Sequence, residues 1–124
     1  MAAMEGREFD RLVADALDDV PHEFARYLAN VTVVVEEEPA PELMHDLGMD
    51  PRRDTLYGLY HGTPLSGRPH DFAGLPDRIT IFAGPLQRDC RSPAELRRQV
   101  RATVVHEIAH HFGLDDRRIR RLGY

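Results

Sequence analysis

Three observations predict an α+β fold for this chain of 124 residues. An amphipathic pattern near the N-terminus is typical of a helix, and three short segments rich in β-branched or aromatic residues are typical of strands. A long segment near the C-terminal end carries start and stop signals of a second helix. With 42% hydrophobic and 30% charged residues, the chain can bury a modest core, and its length fits one domain over residues 1–124.

The N-terminal third predicts two helices and a strand. Residues 8–17 are predicted to be helical because their apolar side chains fall on one face, namely Phe9, Leu12, Val13, Ala16 and Leu17. Pro21 suits the first turn of a short second helix that runs through Leu28. The β-branched run of residues 31–35 predicts a strand, and the acidic residues 36–41 that follow predict a solvated connector.

The middle of the chain predicts two strands joined by a long connection. Residues 56–60 resemble a strand with an internal glycine, Gly58, and residues 78–83 resemble another strand. Glycines and prolines recur between them, which predicts a long loop or a broken hairpin. Such a loop either borders a binding site or has no role, and the sequence leaves both open.

A long helix is predicted from Ser92 to Phe112. Ser92 can accept a hydrogen bond as the N-cap, Pro93 fits the first helical position, and Glu95 stands where a capping-box carboxylate reaches back. Gly113 can take the left-handed conformation that ends a helix. A short arginine-rich helix is predicted to follow.

The end of this helix carries a metal-binding pattern. At 3.6 residues per turn, His106 and His110 lie about 40° apart on one face, so both rings can meet one ion. Glu107 lies about 100° round the helix from His106, where it can reach a metal-bound water. Gly113 lets the chain turn back, and Asp116 can supply a third ligand. Three protein ligands and one water are typical of a catalytic zinc site.

This pattern predicts hydrolytic chemistry with one zinc ion as cofactor. Zinc lowers the pKa of its bound water toward about 7, and Glu107 would take the proton of that water as general base. Asp115 is an alternative third ligand if the turn is tighter, or else it caps the last helix, residues 115–122. His111 points away from His110, which favours packing or a hydrogen bond outside the metal shell.

The pattern His-Glu-x-x-His-x-x-Gly-x-x-Asp over residues 106–116 resembles the metzincin-like zincins. Together with residues 57–65 and 75–81, it is similar to a small single-domain bacterial family of zincin-like metallopeptidases, formerly a domain of unknown function. The resemblance implies a minimal zincin fold: a small mixed sheet of about three or four strands, an N-terminal helix and a long active-site helix. It also implies that His106, His110 and Asp116 bind the metal and that Glu107 is the general base.

The expected function is therefore a zinc metallopeptidase that hydrolyses peptide bonds. No methionine follows Asp116 to form the turn that metzincins place under the metal, and the chain has no second subdomain to deepen a cleft. We therefore expect small or unfolded peptides, not folded proteins, as substrates. The predicted strand 78–83 is a candidate edge to which an extended substrate adds as a further strand. His61 or Tyr60 could help to stabilise an oxyanion.

Two other functions remain open at this point. The first is a metal-binding protein without turnover that serves structure or interaction. The second is a zinc endoribonuclease, because bacterial RNA-processing nucleases share the histidine and glycine spacing of this helix. Those nucleases have glycine after the first histidine and histidine as third ligand, so Glu107 and Asp116 both favour the peptidase.

The composition of the chain predicts its cellular compartment and its class of partner. The net charge of −5 argues against a protein that coats nucleic acid or anionic membranes. No apolar stretch approaches the roughly 20 residues that span a bilayer, and the first residues do not resemble a signal peptide. The single cysteine, Cys90, fits a reducing compartment. We expect a soluble cytoplasmic protein whose partner is a peptide substrate. The sequence does not predict its oligomeric state.

Overall fold

The computed structural model describes residues 4–62 and 77–124, except for the side chain of Asp116. Within these ranges the chain forms helices and strands that confirm the predicted α+β class. The helices are α1 (Gly6–Asp18), α2 (His22–Ala25) with a 3₁₀ turn (Arg26–Leu28), α3 (Pro41–Asp46), α4 (Ala83–Asp89), α5 (Pro93–Phe112) and α6 (Asp116–Arg121). The strands are β1 (Val31–Glu36), β2 (Gly58–His61) and β3 (Asp77–Phe82).

Two short helices were not predicted from the sequence. The helix α3 follows the acidic connector, and α4 begins at Ala83, which the strand prediction had included. The first turn of α4 contains Gly84, a poor helix former, and Pro85, which a first turn tolerates because its missing N–H would have no partner there. Both residues are buried, so tertiary burial overrides the local preference of Gly84. The predicted long connection between β2 and β3 falls largely on residues 63–76, which lie outside the described residues.

The sheet has the strand order β1-β3-β2 and is mixed, as the family resemblance implied. The pairing of β1 with β3 is parallel, and that of β2 with β3 is antiparallel. The expectation that residues 78–83 form an edge for substrate binding is wrong, because β3 is the central strand and both of its sides are paired. The burial of β3 agrees with its central position, because Ile79 and Thr80, which face opposite sides of the sheet, are 0% and 1% exposed.

The hydrophobic core lies between one face of the sheet and the helices α1 and α5. Ile79 and Ile81 of β3 face this core, where they meet apolar side chains of α1 and α5 that include Phe9, Leu12, Leu96, Val100, Val104 and Ile108. None of the helices within the described ranges is long and apolar enough to cross a bilayer.

The strand β2 lies unusually close to α5. A Cβ atom on Gly58 would come within 2.7 Å of Thr103 Cγ2, and one on Gly62 would come within 2.4 Å of His111 Cε1. Two residues of a strand advance about 6.8 Å and four residues of a helix about 6.0 Å, so every second residue of the strand can meet every fourth residue of the helix. The facing pairs along the contact are Gly58 with Thr103, Tyr60 with Glu107, and Gly62 with His111.

We predict that Gly58→Ala destabilises the protein. The new methyl group would lie 2.7 Å from Thr103 Cγ2 and 3.0 Å from the Thr80 carbonyl oxygen. Overpacking of this kind costs about 1–3 kcal/mol. Chemical denaturation of the variant and the parent measures the loss in the free energy of unfolding.

Two further variants test the cause. Adding Thr103→Ser to Gly58→Ala removes the clashing methyl group, so the double variant should recover part of the lost stability. Gly6→Ala is the control, because a Cβ atom there meets nothing within 4 Å. A Gly58→Ala variant as stable as the parent would show that β2 and α5 are not in close contact.

Candidate functional site

The helix α5 has the predicted caps at both ends. Ser92 Oγ accepts a hydrogen bond from the Glu95 N–H at 3.1 Å. The Glu95 carboxylate accepts one from the Arg91 N–H at 3.2 Å, one residue before the partner that a capping box predicts. Gly113 has φ 64° and ψ 38°, the left-handed conformation predicted for it. The chain therefore turns away from the helix axis directly after the histidine-bearing turn.

His106 and His110 lie on one face of α5 and are both exposed. They line the same cavity of about 200 Å³, together with Ala109, Ile119, Arg120 and Tyr124. Neither imidazole forms a hydrogen bond with a residue that the structure describes. Two accessible imidazoles one helical turn apart are a donor set that fits zinc, so these residues fit the ion that the sequence predicts.

The third predicted ligand is Asp116, whose side chain lies outside the described residues. Its backbone begins α6, three residues after Gly113. The alternative ligand, Asp115, caps α6 as predicted: its Oδ1 accepts a hydrogen bond from the Arg117 N–H at 2.9 Å. Among the described side chains, no group of three histidines, cysteines or carboxylates forms a metal-binding cluster. The assignment of Asp116 as ligand therefore stays a prediction.

Glu107 points away from the histidine pair and toward the sheet. Its Oε1 accepts a hydrogen bond from the Tyr60 N–H at 3.0 Å. Burial raises the pKa of the Glu107 carboxyl, while the Tyr60 N–H and the nearby imidazoles of His110, His106 and His61 act against that rise. A raised pKa suits a general base that works near neutral pH.

His106 and Glu107 line a second cavity, which lies on the β2 side of the helix. It has a volume of about 230 Å³, and its other walls are residues 56–58 together with Gln99, Ala102 and Thr103. His106 therefore borders both cavities, one on each side of the histidine face.

His111 packs against the sheet, as predicted for a histidine outside the metal shell. Its ring stacks on that of Tyr60 with centroids 3.9 Å apart, and Phe112 meets both rings edge-on. The Tyr60 hydroxyl donates a hydrogen bond to Asp77 Oδ2 at 2.7 Å. Burial, followed by this bond, raises the pKa of Tyr60. Since that hydroxyl is held by Asp77, we do not assign it to an oxyanion; the same role for His61 stays a prediction.

Sequence reasoning missed three contributors to the site. The Tyr60 backbone N–H holds Glu107, Asp77 holds the Tyr60 ring, and Gly62 leaves room for His111. The sequence did contain one indication, the spacing of Gly58 and Gly62. Gly58 is the first residue of β2 and Gly62 directly follows its last residue, and a Cβ atom at either position would clash with a side chain of α5. A long-range contact of this kind leaves no local pattern that identifies its partner.

Comparisons with known proteins find a matching family model and a similar solved structure. The chain matches the family model described as zincin-like metallopeptidase over residues 28–124. A solved structure of a conserved hypothetical protein from Thermus thermophilus is similar, with a TM-score of 0.56 and 26% sequence identity. The similarity covers 88% of this chain and 94% of that one. No curated protein sequence matches the chain significantly.

We predict that His106→Ala and His110→Ala each lower zinc affinity by more than about 100-fold, because loss of even an outer-shell partner costs about 10–100-fold. Competition with a chromophoric chelator measures the affinity. His45→Ala is the control, since His45 is exposed in the last turn of α3 and does not line the cavity with His106 and His110. Equal zinc affinity in all three variants would contradict the assignment.

The two neighbouring aspartates separate ligation from capping. Asp116→Ala should lower zinc affinity as strongly as loss of a histidine. Asp115→Ala should keep the zinc affinity and lower the free energy of unfolding by about 1 kcal/mol, the usual cost of losing an N-cap. The reverse pattern would make Asp115 the ligand.

Proposed function

Because the chain belongs to the family of zincin-like metallopeptidases, we propose that it is a zinc-dependent peptidase that cleaves extended peptides. In this proposal His106, His110 and Asp116 hold the zinc ion, and Glu107 is the general base. A zinc ion supplies a Lewis acid that polarises a substrate carbonyl and lowers the pKa of water.

The observation that carries the proposal is the position of Glu107. The two candidate ligands and Glu107 come from consecutive turns of one helix, and Glu107 also touches β2 through the Tyr60 N–H. In this proposal a metal-binding face, a carboxylate base and the side of a β-strand meet at one place. This combination favours a peptidase over a protein that only binds a metal.

Glu107 has one oxygen available for proton transfer. Its Oε1 is occupied by the Tyr60 N–H, and no described residue donates a hydrogen bond to Oε2. The Tyr60 N–H thus orients the carboxylate, and Oε2 takes the proton from the attacking water. The same oxygen then gives that proton to the nitrogen of the leaving amine.

The strand β2 is the edge that suits an extended substrate. Within the described residues it pairs with β3 on one side only. Its Tyr60 N–H points toward Glu107 instead of β3, and alternate residues of an antiparallel strand face the same way, so the backbone of Gly58 also faces outward. The Tyr60 N–H is already bonded to Glu107, so a peptide can add beside this strand through main-chain hydrogen bonds at Gly58. Only unfolded or short peptides can take this extended form, which supports them as the substrate class.

We predict that Glu107→Gln abolishes hydrolysis while zinc binding persists. A positioned general base contributes about 10²–10⁴-fold to the rate, and glutamine cannot accept the proton. Digestion of a peptide library by zinc-loaded protein, followed by mass spectrometry, measures the activity, and metal analysis of the same samples measures the zinc.

Glu95→Gln is the matched control on the same helix, since Glu95 lies at the far end of α5 from the histidines. It should keep both zinc and activity. If the zinc-loaded parent cleaves no peptide in the library, the chain is better described as a metal-binding protein without turnover. Hydrolysis that survives Glu107→Gln would remove Glu107 from the mechanism.

A further inference from the structure

The two cavities beside His106 differ in charge. The cavity on the β2 side contains the carboxylate of Glu107 and no arginine. The cavity on the α6 side contains both histidines and Arg120, and its described walls include no acidic side chain. In the proposed zinc site the Asp116 carboxylate would also belong to this side, where the charge of the ion would offset it. A substrate that lies across His106 therefore meets a carboxylate on one side and a guanidinium on the other.

Arg120 makes no ion pair or hydrogen bond with any residue that the structure describes. Other arginines around it are engaged: Arg118 pairs with Glu23, and Arg101 lies 3.8 Å from Asp19. Residues 88–124 contain nine arginines and five acidic residues, so this part of the chain holds more cations than its own anions can pair. Arg120 is the arginine of this set that shares a cavity with both candidate metal ligands.

The cavity around Arg120 has packed walls. Ala109 and Ile119 form its apolar part and are each 4% exposed. Tyr124 forms another wall: its N–H donates a hydrogen bond to the Ile119 carbonyl at 3.1 Å, and the Arg101 guanidinium lies 5.7 Å from its ring. The cavity therefore combines a cation with apolar surface, which suits a ligand that has a carboxylate beside an apolar group.

We propose that Arg120 binds a carboxylate of the peptide substrate on the α6 side of His106. This inference rests on the proposed peptidase function and adds a substrate class to it. A guanidinium offers two parallel N–H donors that match the two oxygens of a carboxylate. Glu107 repels a carboxylate from the opposite cavity, so the charge difference also sets the direction in which the peptide lies. The carboxylate is either the C-terminus of the peptide or an acidic side chain.

The test uses peptide binding to the Glu107→Gln protein, which should not turn the peptides over. The probes are three acetylated alanine tetrapeptides: one with a free C-terminal carboxylate, one with a C-terminal amide, and one amide with a central glutamate. Isothermal titration calorimetry measures their affinities for the zinc-loaded protein. The same titrations are repeated after adding Arg120→Gln or Arg121→Gln, and metal analysis of each variant shows whether the zinc site is intact.

Arg121→Gln is the matched control, because it removes the same charge from the same helix at an exposed residue that does not line the cavity. We expect at least one carboxylate peptide to bind about 10-fold more tightly than the uncharged amide, a typical gain for a charge-assisted hydrogen bond. With zinc bound, the preference should disappear in Arg120→Gln and persist in Arg121→Gln, because a carboxylate held by the ion alone would keep its preference in both variants. A preference for the free acid alone identifies the C-terminus, and one for the glutamate peptide identifies an acidic side chain.

Three results would overturn the inference: equal affinity for the three peptides, a preference that survives Arg120→Gln, or no measurable binding. Hydrolysis of the same peptides by the parent protein tests the peptidase function separately. Cleavage without any carboxylate preference rejects the role of Arg120 and keeps the peptidase. A preference that depends on Arg120 without cleavage keeps the carboxylate site and rejects the peptidase.

Discussion

The close contact between α5 and β2 is the constraint on which the site depends. Glycine at positions 58 and 62 lets the strand approach the helix until Thr103 and His111 fill the space that side chains would occupy. Between these two points the Tyr60 N–H meets the Glu107 carboxylate. The strand therefore orients Glu107, the proposed base, and the helix in turn covers one side of the strand. A bulkier residue at either glycine would move Glu107 away from its hydrogen-bond donor.

The orientation of α5 about its own axis places Glu107 and the two histidines on different sides of the helix. With Glu107 turned toward the sheet, His106 and His110 face solvent and α6, where Ile119 packs into the core and Arg120 lies beside the histidines. The left-handed conformation of Gly113 starts the path that brings α6 back along α5. One short segment thus supplies the candidate ligands and the candidate base, and the rest of the fold orients them and supplies the edge strand.

The parts that the sequence predicted correctly depend on local interactions. The caps of α5 are set by residues within a few positions of Ser92 and Gly113, and the histidine spacing follows from helical periodicity alone. The position of β3 in the sheet was predicted wrongly because it depends on pairing with strands far away in the chain. The hydrogen bond from the Tyr60 N–H to Glu107 joins residues that are 47 positions apart in the chain, so no local sequence pattern predicts it. Asp77 was missed for the same reason.

The central claim is that one zinc ion is held at the end of α5 by His106, His110 and Asp116, with Glu107 outside the ligand set. A crystal structure of the zinc-loaded protein, with anomalous diffraction measured on both sides of the zinc absorption edge, tests it most directly. One strong anomalous peak should lie within about 2.0–2.2 Å of nitrogen atoms from both histidines and of a carboxylate oxygen from Asp116. A peak elsewhere in the molecule, or a peak with Glu107 as a direct ligand, would contradict it.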